Sequence, residues 1–279
     1  MKFQLKALAA AMVLAAAVPA HAAVDLGTTG NGSLTIAVFD KVANVSAVFD
    51  LGKSYSDFSV IGTSFADSNV DDLGKSFSWD LTTGDYATAW STFTSLTNSA
   101  NWQFAVIAVD NAGSGNGSRG LISTLNQAAV TSLTNNPLQA QITTWDNYLG
   151  AQAVDNGTIY QNHGNDLVPT GIANGGSVGN VGLAYAGTYY NGNKPNAAGS
   201  VTVGNVGQSL AVYQNVLSTG AFGTSTSTIF ANNAAFTFTA NGALTYATNP
   251  VVEVPEADTW AMMMLGLGFM GFVARRKQA

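Results

Sequence analysis

The amino-acid sequence predicts a mainly β protein: an antiparallel β-sandwich-like domain with a helical insertion, an N-terminal signal helix and a short C-terminal transmembrane helix. Three observations support this fold class. Charged residues make up only 9% of the chain, and Ser, Thr, Asn and Gly fill most polar positions instead. Short segments rich in β-branched and aromatic residues alternate with polar breaks. Two such segments flank Asn241-Gly242, which predicts a hairpin with a type I′ turn.

The first 22 residues have the three parts of a secretory signal. Lys2 and Lys6 precede an apolar run at 7–18, and Ala20-His-Ala22 supplies the small-x-small pattern that signal peptidase cleaves. The apolar run is about a dozen residues long, short of the roughly 20 that a membrane span requires. We therefore expect signal peptidase to cleave after Ala22, so that the exported domain covers 23–250.

Five segments of this domain predict strands. They are 33–40, 44–50, 55–61, 76–81 and 102–109. The first two share the tripeptide Val-Phe-Asp, which indicates two neighbouring antiparallel strands rather than a repeat protein. The segment 102–109 is nearly all apolar, so we expect a central strand buried on both faces.

Apolar residues recur at helical spacing in three further segments, 86–96, 121–133 and 138–151. Asp85 suits the N-cap of the first helix and Pro137 suits the start of the third. These helices predict that residues 85–152, approximately, form a helical insertion. From 156 to 207 Gly and Asn dominate, which indicates either Gly-rich strands with irregular loops or poor order.

The charge balance and the missing residue types exclude several classes of function. Between 23 and 250 there are thirteen Asp and no Glu against four Lys and one Arg, so no basic patch is available for nucleic acid. The absence of Cys excludes disulfides and thiolate sites. His163 is the only histidine after signal cleavage, too few for a zinc site. We predict no metal and no cofactor.

The sequence supports no enzymatic activity and no catalytic residue. A glycosidase needs two carboxylates beside a cleft, and the Asp residues could supply a pair, but no motif singles one out. Tryptophan side chains could stack on sugar rings, yet aromatic residues at strand and helix spacing are more often core residues. We therefore expect a core position for four tryptophans: Trp79, Trp90, Trp102 and Trp145.

The C-terminal tail, 251–279, has an ordered layout. Pro255-Glu256 is followed by Trp260, an apolar stretch at 260–274 and the basic end Arg275-Arg276-Lys277. As a helix, 15 residues cover roughly 22 Å against a hydrocarbon core of about 30 Å, which makes the stretch a marginal membrane span. The basic end predicts a cytoplasmic C-terminus. A plain single-pass anchor is the alternative interpretation.

This layout resembles the PEP-CTERM sorting signal of exported proteins in bacteria that make extracellular polysaccharide. The resemblance implies that exosortase, a membrane protease, recognises Pro255 and Glu256. It also implies that 260–274 is a transient anchor and that Arg275, Arg276 and Lys277 form the retention signal. Ala257 stands where the family's Pro-Glu-Pro motif has its second proline. The implied location is an inner-membrane-anchored intermediate that then reaches the cell surface or the extracellular space.

Two hypotheses for the exported domain remain open. The first is a non-enzymatic structural or adhesive protein of the extracellular matrix, in biofilm or flocs, with extracellular polysaccharide as a candidate partner. The second is a secreted carbohydrate-binding module or hydrolase that acts on the polymer. A pocket lined by two Asp carboxylates and exposed Trp favours the second, whereas a closed β domain with a flat Ser/Thr/Asn surface favours the first.

Overall fold

The computed structural model describes residues 24–43, 45–61, 69–112, 119–126, 134–155, 202–219 and 223–249. These residues form ten strands of one antiparallel sheet. The strands are β1 Ser33–Asp40, β2 Val45–Ser54, β3 Ser76–Asp80, β4 Trp102–Asp110, β5 Gly120–Leu125, β6 Gly204–Asn205, β7 Ser209–Val216, β8 Thr226–Ile229, β9 Ala235–Phe238 and β10 Ala243–Ala247.

The described helices are few. A single turn, α1 Tyr55–Phe58, follows β2, α2 Ala87–Leu96 follows β3, and α3 Asn135–Asp155 is the one long helix. Short 3₁₀ turns lie at Gly27–Thr29, Gly84–Tyr86 and Ser99–Asn101.

The strands run in the order β2-β1-β4-β5-β7-β9-β10-β3, with β6 paired to β4 and β8 paired to β7. The sheet is barrel-like and nearly closed. At the seam between its two ends, the Trp79 indole N–H of β3 donates to the Leu51 carbonyl of β2 over 2.7 Å. The Lys53 ammonium of β2 lies 5.3 Å from the centre of the Phe77 ring of β3. Side chains therefore hold together the two edge strands that no backbone ladder joins among the described residues.

The inner face of the sheet encloses a large aromatic core. Alternate residues of each long strand point inwards, for example Leu34, Ile36 and Val38 of β1. Phe58 of α1 packs against Phe236 and Tyr246 with ring centres 5.9 and 5.1 Å away. Because these rings come from distant parts of the chain, the core ties the two halves of the sheet together.

Helix α3 covers the outer face of the central strands. Its buried residues recur at helical spacing and include Leu138, Ile142, Trp145 and Leu149. They pack on the outward residues of β1, β4, β5 and β7, among them Ala105 and Ile107. The central strands are therefore buried on both faces, as we predicted for 102–109.

The predicted pair of neighbouring strands and the predicted last hairpin are confirmed. β1 pairs with β2, with Val38 opposite Ala47, and β9 pairs with β10, with Phe238 opposite Leu244. The predicted turn type at the last hairpin is wrong, because only Gly242 takes a positive φ, at 87°. Residues 240–242 form a three-residue loop in which the Gly242 N–H donates to the Thr239 carbonyl over 3.0 Å. This arrangement is the next most common hairpin connection.

The predicted sandwich and the predicted helical insertion both need correction. The sheet is single and curls on itself, and the segment 85–152 contains two of its strands, β4 and β5. Residues 121–125 pair with β4 on one side and β7 on the other instead of forming a helix. A strand covered on both faces has an apolar pattern that resembles a helical one, which explains the error.

Two smaller predictions were also wrong. Residues 55–61 were expected to form a strand, but α1 begins there because the Asp57 carboxylate accepts the Ser54 backbone N–H over 2.8 Å. Helix α2 begins after Tyr86, with Asp85 inside the preceding 3₁₀ turn rather than at the N-cap. The third predicted helix, 138–151, is confirmed as part of α3, in which Pro137 lies in the first turn.

Replacing Trp79 by Phe tests the seam. Trp79→Phe keeps an aromatic ring in the cluster with Phe77 and removes the N–H that reaches Leu51, together with part of the indole ring. We expect a loss of about 1 kcal/mol in the free energy of unfolding and faster amide exchange in β2 and β3. Urea unfolding and hydrogen exchange measure the two effects.

Trp102→Phe is the matched control, because its indole N–H bonds the Thr97 hydroxyl over 2.9 Å, away from the seam. It should lower stability by a similar amount without faster exchange in β3. Equal exchange at the seam in both variants contradicts the assigned role of Trp79.

Candidate functional site

The residues predicted for sorting lie outside the described part of the chain. This holds for the signal cleavage residues Ala20 and Ala22, for Pro255 and Glu256, for the apolar stretch 260–274 and for the basic end Arg275-Arg276-Lys277. Among the residues that the structure describes, no helix is long and apolar enough to cross a membrane. The sorting prediction therefore depends on the sequence pattern of these residues. The structure describes the domain that lies between the two predicted signals.

Inside the domain, the densest group of buried ionisable side chains surrounds the N-terminal segment 24–33. Asp50 at β2, Asp110 at the end of β4 and Asp146 on α3 are each between 2 and 4% exposed. The segment passes between the ends of these elements, and Gly32 and Asn111 connect it to β4 through backbone hydrogen bonds. Three carboxylates from three elements thus converge on one short piece of chain.

Asp146 binds the segment most directly. Its Oδ1 accepts the Gly27 N–H over 2.8 Å, and its Oδ2 accepts the Asn111 side-chain amide over 2.9 Å. A Cβ at Gly27 would lie only 2.7 Å from the Val109 side chain, so a larger residue cannot approach as closely. The contact holds the segment, α3 and β4 together.

A series of side-chain hydrogen bonds continues from Asn111 along α3. The Asn111 Oδ1 accepts the Gln139 side-chain amide over 2.7 Å, and the Gln139 Oε1 accepts the Arg119 guanidinium over 2.8 Å. Arg119 also lies near enough to Asp110 to favour its charged form. The network therefore connects the Asp146 carboxylate through Asn111 and Gln139 to Arg119, whose charge counters that of Asp110.

Asp50 and Asp110 hold the rest of the segment. The Asp50 carboxylate accepts the Ser33 hydroxyl over 2.9 Å and the Gly52 N–H over 2.7 Å. Burial raises the pKa of Asp50 from an ordinary 3.8 to about 6. Burial likewise raises the pKa of Asp110 and that of Asp146, although hydrogen bonds to the charged forms counteract the effect.

This arrangement suits a structural role rather than carboxylate catalysis at these three residues. A glycosidase pair must face a cleft where water and a sugar can enter. Asp50, Asp110 and Asp146 are instead almost inaccessible, and donors from the protein bind their oxygens. The three carboxylates therefore bind the domain's own chain.

Gln214 forms a second buried polar centre, on the inner face of β7. Its side-chain amide donates to the Tyr55 hydroxyl over 2.7 Å and to the Ser59 hydroxyl over 2.9 Å. Its Oε1 accepts the backbone N–H groups of Val60 and Ile61 over 2.8 and 3.1 Å. The sequence analysis missed this residue, whose only sequence signal is one polar side chain on the otherwise apolar inner face of β7.

The predicted positions of the tryptophans are confirmed. Trp90, Trp102 and Trp145 are at most 7% exposed, and Trp79 packs partly buried against the inner core. The ring centres of Trp90 and Trp102 lie 5.4 Å apart. Within the described ranges, these side chains thus build the core and present no row of exposed rings for a sugar.

The predicted lack of a metal site stays a prediction. Within the described ranges, no three His, Cys, Asp or Glu side chains come together in a way that could hold a metal ion. His163 lies outside those ranges.

Comparison with protein families gives a match to the C-terminal tail. The family model of the PEP-CTERM protein-sorting motif matches residues 253–277, the tail on which the resemblance was based. The match covers the tail only and describes nothing of the β domain. A search of curated proteins found no match to the chain. A search of solved structures also found none. The motif indicates export and processing by exosortase.

The buried carboxylates predict an unusual pH dependence of stability. A carboxyl whose pKa is raised on folding keeps its proton longer in the folded than in the unfolded state, so stability is highest below pH 4 and falls as pH rises through about 6. For Asp50 the loss is at most about 3 kcal/mol. Burial alone would raise the pKa of Asp40, but hydrogen bonds from three backbone N–H groups outweigh burial, so that pKa is lowered. The effect of Asp40 on stability therefore lies below pH 4.

We therefore expect the midpoint of urea unfolding to decrease between pH 4 and pH 7. Asp50→Asn should remove much of this decrease, whereas Asp80→Asn, at an exposed carboxylate, should keep it. A midpoint that rises from pH 4 to pH 7 contradicts the assignment.

Proposed function

We propose that the chain is an exported surface or extracellular-matrix protein that an exosortase-type membrane protease processes at Pro255-Glu256. The PEP-CTERM match at residues 253–277 carries this proposal. In it, the basic end Arg275-Arg276-Lys277 holds the tail in the membrane until processing. The β domain then reaches the cell surface or the extracellular space.

We further propose a structural or adhesive role in the extracellular polymer rather than catalysis. The filled aromatic core and the buried tryptophans support this role, because they leave small residues on the outer face at β3, β7, β9 and β10. Four hydroxyl residues lie side by side across neighbouring strands of that outside, namely Ser209, Thr237, Thr245 and Ser78. The adjacent row contains Ala211, Ala235, Ala247 and Ser76.

Such a face is suited to a neutral polysaccharide. Neighbouring strands lie about 4.8 Å apart, so the hydroxyls form a regular line without bulky or charged side chains between them. Ser78, Thr245 and Ser209 are exposed, and Thr237 is half-buried. Hydroxyl groups both donate and accept hydrogen bonds, as sugar hydroxyls do.

The mature C-terminus tests the sorting proposal. In cells that contain the protease, mass spectrometry should find a chain that ends before residue 260. In cells that lack it, the chain should retain residues 260–279. Glu256→Ala in protease-containing cells is the matched variant and should also retain the tail. An intact tail under all three conditions rules out processing at this motif.

Binding to the host's own polysaccharide tests the proposed role. We expect the tail-less domain to sediment with the polymer without releasing reducing ends. Thr245→Lys with Ser78→Lys should weaken binding at least fivefold, because two long cations interrupt the hydroxyl row. Ser95→Lys, on the exposed side of α2, is the control. Release of reducing sugars favours the alternative function, a hydrolase. Equal binding of all variants contradicts the assignment of the hydroxyl row as the binding surface.

A further inference from the structure

The last two described residues of the domain are held unusually firmly. The Thr248 N–H donates to the Lys75 carbonyl over 3.0 Å, and the Thr248 hydroxyl donates to the Asp72 carbonyl over 2.7 Å and accepts the Lys75 N–H over 2.9 Å. The Thr248 side chain is only 8% exposed. One threonine thus closes the loop that precedes β3.

Asn249 continues the same arrangement on both sides. Its N–H donates to the Asn232 carbonyl over 2.8 Å, and its carbonyl accepts the Gly74 N–H over 2.7 Å. Its side-chain oxygen accepts the Asn233 amide over 3.2 Å. We call these contacts of Thr248 and Asn249 the C-terminal clasp.

The two loops of the clasp also hold each other. The Asp71 carboxylate accepts the Ala231 N–H over 2.8 Å, and the Asp71 carbonyl accepts the Asn232 side-chain amide over 2.8 Å. Asn232 and Asn233 both take left-handed conformations, with φ of 54° and 53°. The clasp is therefore a built feature of the fold and not a fraying strand end.

Three residues separate the clasp from the sorting motif. The matched motif begins at residue 253, so only Pro250, Val251 and Val252 lie between. A protease binds its substrate as an extended segment, and residues whose backbone groups are bonded within a fold cannot enter a cleft without local unfolding. The clasp therefore withholds Thr248 and Asn249 from a protease unless it opens locally.

We propose that the C-terminal clasp and this three-residue spacer together determine whether the membrane protease can process the chain. The clasp keeps the domain folded up to Asn249 while the tail is engaged, and the spacer is close to the shortest that the protease accepts. The inference rests on the proposed sorting function, and it names the part of the domain that limits the reaction.

Deleting residues 250–252 from the full-length chain tests the proposal, because it leaves the matched motif intact. The protein is expressed in cells with the exosortase-type protease, and the fraction without its tail is measured by mass spectrometry over time. We expect processing to fall at least tenfold. Inserting Gly-Ser-Gly in place of the deleted residues should restore it, because length and not sequence is required.

Loosening the clasp supplies an independent arm. In the deletion chain, Thr248→Val with Asn249→Ala removes the hydroxyl and the side-chain amide of the clasp and should release two residues as a new spacer. We expect processing to recover to at least half of the parental rate. Thr144→Val in the same deletion is the matched control, since its hydroxyl bonds the Ala140 carbonyl within α3, and processing should stay low.

The outcomes separate this inference from the sorting proposal. Absence of processing in the parental chain contradicts the sorting function and the inference with it. Normal parental processing together with normal processing of the deletion overturns only the role of the clasp and spacer. Failure of the Gly-Ser-Gly insertion to restore processing also overturns the role of the clasp and spacer. This conclusion does not depend on whether the variant with Thr248→Val and Asn249→Ala folds.

Discussion

A single sheet that curls almost into a barrel has to bury two faces, and this constraint determines most of the structure. The inner face surrounds an aromatic core, and the outer face of the central strands lies under α3. Residues on both sides of β1 and β4 must then be apolar, so these strands lack the usual alternation. With no Cys in the chain, burial and backbone pairing have to provide the stability that a disulfide would otherwise add.

Two polar side chains of this interior, Gln214 and Asp146, connect distant segments of the chain. Gln214 attaches β7 to the segment after α1, and Asp146 attaches the N-terminal segment to α3. The Gln214 and Asp146 side chains each have at least two hydrogen-bond partners, which makes their desolvation tolerable. Burial raises the pKa of Asp50, and hydrogen bonds from Ser33 and Gly52 offset this effect only in part. The buried Asp50 carboxylate is therefore destabilised relative to an exposed one.

Both predicted processing sites lie a few residues from a firmly held part of the domain. Val24, two residues after the predicted cleavage at Ala22, is only 3% exposed, and Asn249 lies six residues before Pro255. We therefore expect that local unfolding of the domain, rather than the chemistry of peptide-bond cleavage, limits how near to the folded domain a protease can cleave. In the proposed processing, a domain held at both ends would lose its leader and its tail without unfolding from either terminus.

The sequence by itself identified the C-terminal tail and predicted much of the local structure. The tail was identifiable because Pro255-Glu256, an apolar stretch and a basic end are contiguous, and the strands at β1, β3 and β4 followed from β-branched and aromatic runs. Tertiary structure decided the rest. Residues 121–125 became a strand because β4 and β7 flank them, and the pairing of Trp79 with Leu51 closed one sheet instead of stacking two. Gln214, Asp146 and the C-terminal clasp depend on partners 119 to 176 residues away. A sequence pattern records the spacing of neighbours along the chain, but contacts at such separations exist only once the sheet has closed.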